Sequence, residues 1–293
     1  MGYKVGYVSI IGRPNVGKST LLNTLLGRKV TIVSPRPQTT RNRILGIKTT
    51  EKGQIIFMDN PGIHRPLHKL NEFMMEQVYQ SLEGSDLVLL MVDITQEFGK
   101  GDEFVVNMLK KVDKPIFLLI NKIDKVKKSK ALPLIDLYKD LLPFKEIIPI
   151  SALKGTNLDV LEDLIYQYLP EGQKLFPDDM VTDISDRFLI SEIIREKVLH
   201  YTREEIPYSV GVLVEQVEER DGLLYIYATI FVEKENHKKI VIGKGGNLIK
   251  LIGMKAREEL EFLFGTKIYL DLVVKVKKGW RDDPAILALI QNQ

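Results

Sequence analysis

Residues 12–19 read GRPNVGKS, and they stand between a β-branched run at 5–11 and an amphipathic stretch at 18–26. A strand that ends in a glycine-rich turn and feeds straight into a helix gathers consecutive backbone N–H groups and the helix N-terminus at one spot. That spot suits phosphate oxygens. Gly12 and Gly17 give the backbone the freedom to bend, Lys18 brings a cation to the terminal phosphates, and the Ser19 hydroxyl is placed to reach a magnesium ion. Asn15, Val16 and Thr20 complete the candidate nucleotide-contacting set of this loop.

Short β-branched runs recur at 44–49, 55–58, 87–92, 116–120 and 147–150, separated by amphipathic stretches. This alternation predicts an α/β domain over 1–170, with a mostly parallel six-stranded sheet and helices on both faces. Gly27, Gly84 and Pro170 fall where helices should stop. Residues 171–184, EGQKLFPDDMVTDI, break the rhythm and read as a connector. Residues 185–293 follow a different order: a helix to about 201, strands at 209–218 and 223–233 joined by Arg220-Asp221-Gly222, a helix pair around 243–264, and a strand at 267–277.

Composition closes off several classes of function. With no cysteine among 293 residues, disulfide scaffolds, thiolate metal sites and cysteine nucleophiles are excluded, and the cytoplasm is the expected compartment. The longest apolar run, 87–92, is far short of the roughly 20 residues of a membrane span. The net charge of +3 says little, but residues 237–281 hold eleven Lys and Arg against four Asp and Glu. Such an excess suits a polyanion as well as a solvated face.

Four further motifs give the phosphate loop its context. Asn121-Lys122-Ile123-Asp124 ends a predicted strand and resembles the guanine-recognition motif of translation-factor-like GTPases, and Ser151-Ala152-Leu153, after the sixth strand, resembles their supporting motif. A carboxylate at Asp124 accepts the two donors of guanine, N1–H and N2–H, whereas adenine would leave it buried and unpaired. Asn121 is expected to face the N7 and O6 edge, the Lys122 stem to cover the ring, and the Ala152 N–H to donate to O6. Asp59-Asn60-Pro61-Gly62 ends the third strand and resembles the DxxG element of P-loop GTPases, which implies Asp59 holding magnesium through water and the Gly62 N–H sensing the γ-phosphate. Of Thr39 and Thr40, in Gln38-Thr39-Thr40-Arg41, the second is favoured to close the metal shell. Pro35 and Pro37 flank a loop expected to order with triphosphate bound. Lys18, Thr40 and Gly62 are then the candidate catalytic groups, and Ser19, Thr40 and Asp59 the candidate metal ligands. Ile63 stands where other enzymes of this kind orient the attacking water with glutamine, so hydrolysis is expected to be slow; His64 is a weak substitute.

In the second domain, Ile242-Gly243-Lys244-Gly245-Gly246 opens a helix between the strand pair and the last strand. This looks like the GxxG loop of a bacterial-type KH domain, which clamps single-stranded RNA. Lys244, Lys250, Lys275, Lys277, Lys278 and Arg281 then account for the local basic excess as phosphate contacts. The GTPase motifs, the connector LPEGQKLFPDD and the KH pattern together resemble the Era family of bacterial ribosome-assembly GTPases over essentially the whole chain. The resemblance implies an α/β P-loop GTPase domain followed by an α+β type II KH domain. It also implies GTP, GDP and magnesium as ligands, and a monomer that binds the 3′-end region of 16S ribosomal RNA and assists maturation of the 30S subunit. Peripheral contact with the cell membrane stays open. Asn15 matches a loop asparagine that helps hold potassium in related GTPases with a hydrophobic residue at the Ile63 position. Two rivals share the phosphate loop. With the phosphate, magnesium and base motifs all intact, an RNA-binding protein with a merely structural nucleotide site would have to bind nucleotide without turnover. A GTPase of tRNA modification would bring a cysteine or a cofactor-binding domain.

Asp124→Asn should shift preference from GTP towards xanthosine triphosphate, since an amide donor meets the acceptor that replaces the guanine amino group. Competition binding with the two nucleotides is the check, and an unchanged guanine preference would remove Asp124 from the base contact.

Overall fold

The computed structural model describes residues 2–36, 38–63, 69–127, 131–203, 206–220, 222–291 and 293. His64, Pro37 and the Asp221 turn position lie outside the described residues. By backbone contacts the chain falls into two compact units, one drawn from 1–31, 37–67 and 71–183, the other from 32–36, 68–70 and 184–293.

The first unit alternates β1 (Lys4–Ile11), α1 (Lys18–Leu26), β2 (Ile44–Thr49), β3 (Gly53–Asp59), α2 (Lys69–Glu83), β4 (Leu87–Asp93), α3 (Lys100–Leu109), β5 (Ile116–Asn121), α4 (Ala131–Tyr138), β6 (Glu146–Pro149) and α5 (Leu158–Tyr168). The strands lie in the order β2-β3-β1-β4-β5-β6, all parallel except the β2–β3 pair. Every residue of β3, β4 and β5 is buried, as expected for strands covered on both faces, and this explains their unbroken apolar character. Alternate side chains feed two cores. Val8, Ile10, Leu89 and Leu119 join Leu21, Leu22 and Leu25 of α1 and Leu161 and Ile165 of α5. Ile11, Leu90 and Ile120 join Met75 and Val78 of α2, Val105 and Val106 of α3 and Tyr138 of α4.

Residues 171–183 differ from the free tether that their Gly, Pro and Asp content suggests. β2 is an edge strand with backbone groups still to be paired, and the connector supplies the partners. Ile47 N donates to Val181 O at 2.8 Å, Leu45 N to Asp183 Oδ1 at 3.0 Å, and Thr182 Oγ1 to Leu45 O at 2.8 Å. Gln54, fully buried, accepts from Leu175 N and Phe176 N at 2.9 and 3.0 Å and returns its own amide to Phe176 O at 2.9 Å. Phe176 and Met180 pack on Val5, Ile47 and Ile56.

The second unit is built from α6 (Asp186–Tyr201), β7 (Gly211–Arg220), β8 (Leu223–Val232), α7 (Glu235–Ile242), α8 (Asn247–Phe264), β9 (Lys267–Val276) and α9 (Pro284–Gln291). β8 lies between an antiparallel β7 and a parallel β9. Ser185 caps α6 by accepting from Phe188 N at 3.1 Å. The core joins Ile190, Ile194 and Val198 of α6 to Ile226, Ala228 and Ile230 of β8 and Ile252, Ala256 and Leu260 of α8. The helix pair expected around 243–264 is shifted: its first member is α7, which ends at Ile242, and only α8 falls within that range. Lys238 and Lys239, polar and solvated, mask the short period of α7 in the sequence. α9 was not legible beforehand. It packs with Trp280 over Gly211, where a Cβ would stand 2.9 Å from Ile290 Cδ1 and 3.1 Å from the Trp280 ring.

Gln54→Leu keeps the volume but leaves the Leu175 and Phe176 N–H groups without their acceptor, a loss of about 1–3 kcal/mol. The expected result is a lower Tm together with faster proteolytic cutting within 171–183, read by limited digestion. Wild-type resistance in that segment would show that the connector is held by other contacts.

Candidate nucleotide and nucleic-acid sites

The C-terminal ends of β1, β3, β5 and β6 come together at one edge of the first sheet, the usual place for a ligand in an open α/β domain. The turn after β1 needs unusual backbone: Gly17 has φ 109° and Asn15 φ 64°. A Cβ at Gly17 would stand 2.3 Å from Asn121 Nδ2. Lys18 folds back over the turn, its Nζ donating to Gly12 O at 3.1 Å and Arg13 O at 3.0 Å. Burial holds the Lys18 ammonium down to about 8, against the opposing pull of Asp59.

Beside Lys18 lies a corner of oxygens. Ser19 Oγ donates to Asp59 Oδ2 at 2.6 Å and stands 2.9 Å from Thr40 Oγ1. Thr31 Oγ1 donates to the same carboxylate oxygen at 3.4 Å. Asp59 Oδ1 is buried and without a hydrogen-bond partner. Two hydroxyls, a buried carboxylate and an unused oxygen suit a hard cation that also takes oxygens from phosphates or water, and so fit magnesium. Among the described residues no group of three or more His, Cys, Asp or Glu forms a protein-only cage. Burial pushes the Asp59 carboxyl up to about 6, with Lys18 and the hydroxyls of Ser19 and Thr31 pulling it down. Thr39 is buried as well, but it is Thr40 whose hydroxyl meets Ser19.

Gly62 passes so near the turn that a Cβ would lie 2.7 Å from Pro14 Cα, and Ile63 N donates to Gly12 O at 3.2 Å. Ile63 itself is 2% exposed and belongs to the apolar cluster of Met75 and Val78.

The base-side residues are tied together more than the sequence suggested. Asn121 Nδ2 donates to Val16 O at 2.8 Å, and its Oδ1 accepts from Ala152 N at 2.9 Å. Asn121 is therefore a brace between two loops, with one of its two amide protons given to Val16 O and the Ala152 N–H directed at its oxygen. Lys122, at φ 68°, reaches Asn15 O at 2.7 Å and Asp93 Oδ2 at 2.5 Å, so its stem spans the site. Burial raises the Asp93 pKa, but hydrogen bonds from Lys122 and Thr95 outweigh it and leave the carboxyl below its ordinary value. Asp124 Oδ1 accepts from Ser151 Oγ at 2.6 Å, and Ser151 in turn takes Lys154 N at 3.1 Å. Asp124 is exposed, and so is Leu153, at 66%. Asp93 went unrecognised in the sequence, although an acid closing a strand beside Asn121 was the available signal. Arg13 was also missed: its Nη1 pairs with Asp102 Oδ2 at 2.7 Å and ties the turn to α3.

In the second unit, Gly243, Gly245 and Gly246 have φ 74°, 61° and 78°. A Cβ at Gly243 would lie 2.6 Å from Leu248 Cβ, whereas Gly245 and Gly246 face open space. Lys244 is exposed, and Ile242 is half-buried behind it. An adjoining groove between α8 and β9 is lined by Ile249, Lys250, Gly253, Met254, Arg257, Leu270 and Leu272, an apolar floor with two cations among its lining. Lys275, Lys277 and Lys278 are exposed, with Lys275 3.5 Å from Glu215 and Lys277 3.9 Å from Asp283. Arg281 corrects the expectation of a phosphate contact: it grips Glu233 with two parallel bonds, Nε to Oε1 at 2.9 Å and Nη2 to Oε2 at 2.7 Å. The adjacent Trp280 Nε1 donates to Ser209 O at 3.0 Å, so this turn fastens the fold.

Known proteins resemble the chain in both units. The family model described as a 50S ribosome-binding GTPase matches residues 7–122, and the KH domain model matches 205–281. GTPase Era of Halothermothrix orenii is 52% identical over 288 residues, covering 98% of each chain. GTPase Era of Staphylococcus haemolyticus is 50% identical over 281 residues, covering 96% of this chain and 94% of that one. A crystal structure of Era with MgGDPNP and nucleotides 1506–1542 of 16S ribosomal RNA superposes with a TM-score of 0.95 at 48% identity, covering 98% of both chains. Aquifex aeolicus Era bound to GDP and AlF4− gives a TM-score of 0.93 at 47% identity, again covering 98% of both.

The Asp59 carboxyl, at about 6 when folded and near 3.8 when unfolded, holds its proton more tightly in the folded chain. Stability from that proton is complete below about 4 and is lost as pH rises through about 6. The ligand-free protein should therefore lose on the order of 2 kcal/mol across that window. Asp59→Asn should lack this component when Tm is compared from pH 4 to 7.

Proposed function

Because the chain belongs to the Era family of GTPases, we propose that it is a GTP-hydrolysing switch that binds the 3′-end region of 16S ribosomal RNA and assists maturation of the 30S subunit. The observation that carries the reading is the convergence, at one sheet edge, of Lys18, the Ser19–Asp59–Thr40 corner and the Ser151–Asp124 pair. The N–H groups of the 12–19 turn cradle the phosphates, the Lys18 ammonium meets the β and γ oxygens, and the Gly62 N–H detects the γ-phosphate. Ser151 aims Asp124, whose carboxylate accepts from guanine, while Asn121 holds the phosphate and base loops in register. Ser19, Thr40 and Asp59 are the proposed magnesium ligands. Bound there, the ion supplies neutralisation of phosphate charge.

Ile63 is buried among apolar side chains and brings no polar group to an attacking water, which supports slow turnover, on the order of 10⁻⁴ to 10⁻² per second. Asn15 is the proposed neighbour of a potassium ion that assists the step. In the second unit, Gly243 to Gly246 clamp RNA phosphates. Bases lie in the groove of Ile249, Met254 and Leu270, and Lys244, Lys250, Lys275, Lys277 and Lys278 supply cationic contacts. Arg281 is left out of this set because Glu233 holds it. Among the described residues no helix is long and apolar enough to cross a membrane. The proposed setting is the cytoplasm, as a monomer, with any membrane contact peripheral.

Lys244→Asp with Gly245→Asp places two carboxylates where a phosphate should lie. RNA affinity should fall by at least tenfold while GTP affinity stays unchanged. The check is a titration against a single-stranded segment from the 3′ end of 16S ribosomal RNA, beside GTP binding and the thermal transition. Wild-type RNA affinity in the folded variant would make Gly243 to Gly246 an ordinary turn.

A further inference from the structure

Asn60 sits between the Asp59 carboxylate and Gly62 and is fully buried. Its Nδ2 lies 3.0 Å from Met58 O and 3.2 Å from Ile10 O. Two carbonyls on that side fix the orientation of the amide, because an oxygen there could accept from neither. The same nitrogen lies 3.0 Å from Ser9 Oγ on β1 and 2.9 Å from Ser81 Oγ on α2, and the two hydroxyls are 2.7 Å apart. Four acceptors thus share two protons, while Asn60 Oδ1 is buried with no hydrogen-bond partner.

The surroundings make this arrangement costly as mere packing. Ser81 stands in α2 between Val78 and Leu82, both buried, and every residue of β3 is buried. An apolar side chain of the same volume would fill the space without an unsatisfied carbonyl. What the amide adds is position: it fastens the chain that leads into Gly62 to β1 on one side and to α2 on the other. One residue past Gly62, Ile63 N is bonded to Gly12 O at 3.2 Å, so the short segment carrying the Gly62 N–H is held at both ends.

We propose that Asn60 is a positioning residue for discrimination between GTP and GDP, holding the Gly62 N–H at the place of the γ-phosphate through the buried Ser9–Asn60–Ser81 junction. Asn60 touches no nucleotide itself. The inference rests on the guanine-nucleotide reading above, in which Gly62 meets only the γ-phosphate. Loosening the junction therefore weakens the triphosphate complex and spares the diphosphate complex.

The experiment compares full-length wild type, Asn60→Leu and Ser81→Ala, titrating each with GDP and with the non-hydrolysable analogue GDPNP at saturating magnesium. Asn60→Leu keeps the volume and removes every hydrogen bond of the amide; Ser81→Ala leaves the amide and removes its link to α2 together with the Ser9–Ser81 contact. In Asn60→Leu, GDPNP affinity should fall roughly tenfold while GDP affinity stays within about twofold. Ser81→Ala should shift the ratio in the same direction by a smaller factor, and it carries the test if Asn60→Leu does not fold. An equal loss for both nucleotides, or no change in either, would make the junction a packing feature and overturn the proposal. Should wild type bind neither nucleotide, the site reading itself falls and this inference with it.

Discussion

The amide of Asn121 is the contact on which the nucleotide site depends. One end donates to Val16 O in the turn after β1, and the other accepts from Ala152 N in the loop after β6. A single side chain on β5 thereby sets the spacing between the part of the site that suits phosphates and the part that suits a base. Gly17 has no side chain for the same reason, since a Cβ would meet the Asn121 nitrogen at 2.3 Å. Lys122, the next residue, adds a second tie to Asn15 O. Both ties lie within the protein itself, so the spacing of the two halves of the site is set by side chains rather than by the ligand.

The buried charges follow the same logic. Lys18 and Asp59 are each taken out of water, and each has its pKa moved by burial with the other opposing the shift. Their mutual attraction and the hydroxyls of Ser19 and Thr31 offset part of the cost of desolvation. A phosphate and a divalent cation would supply what the pair lacks, which makes the site electrostatically poised for that combination. The second unit works with backbone instead. Three glycines with positive φ produce a turn that a chain can approach closely, and cations stand around it.

Much of this was legible in the sequence because the governing constraints are local. A glycine-rich turn between strand and helix, an Asp at a strand end and a run of β-branched residues each carry their reason within a few positions. The six strands were found on that basis. What escaped was set by partners distant in sequence. The bracing role of Asn121 is invisible until Val16 and Ala152 are seen on either side of it. Arg281 reads as a free cation until Glu233, 48 residues away, is found holding it. α7 was displaced in the reading because its lysines hide the period of a helix with only two buried residues.

The connector at 171–183 has a consequence beyond joining two units. An edge strand with unpaired N–H and C=O groups is a template for any other extended chain, and proteins at high concentration must blunt it. By bonding Leu45 and Ile47, residues 181–183 occupy the outer rim of β2. The stretch that looks like loose cord is thus a selvedge, and it denies the sheet to the amyloid-like stacking that a bare rim would invite.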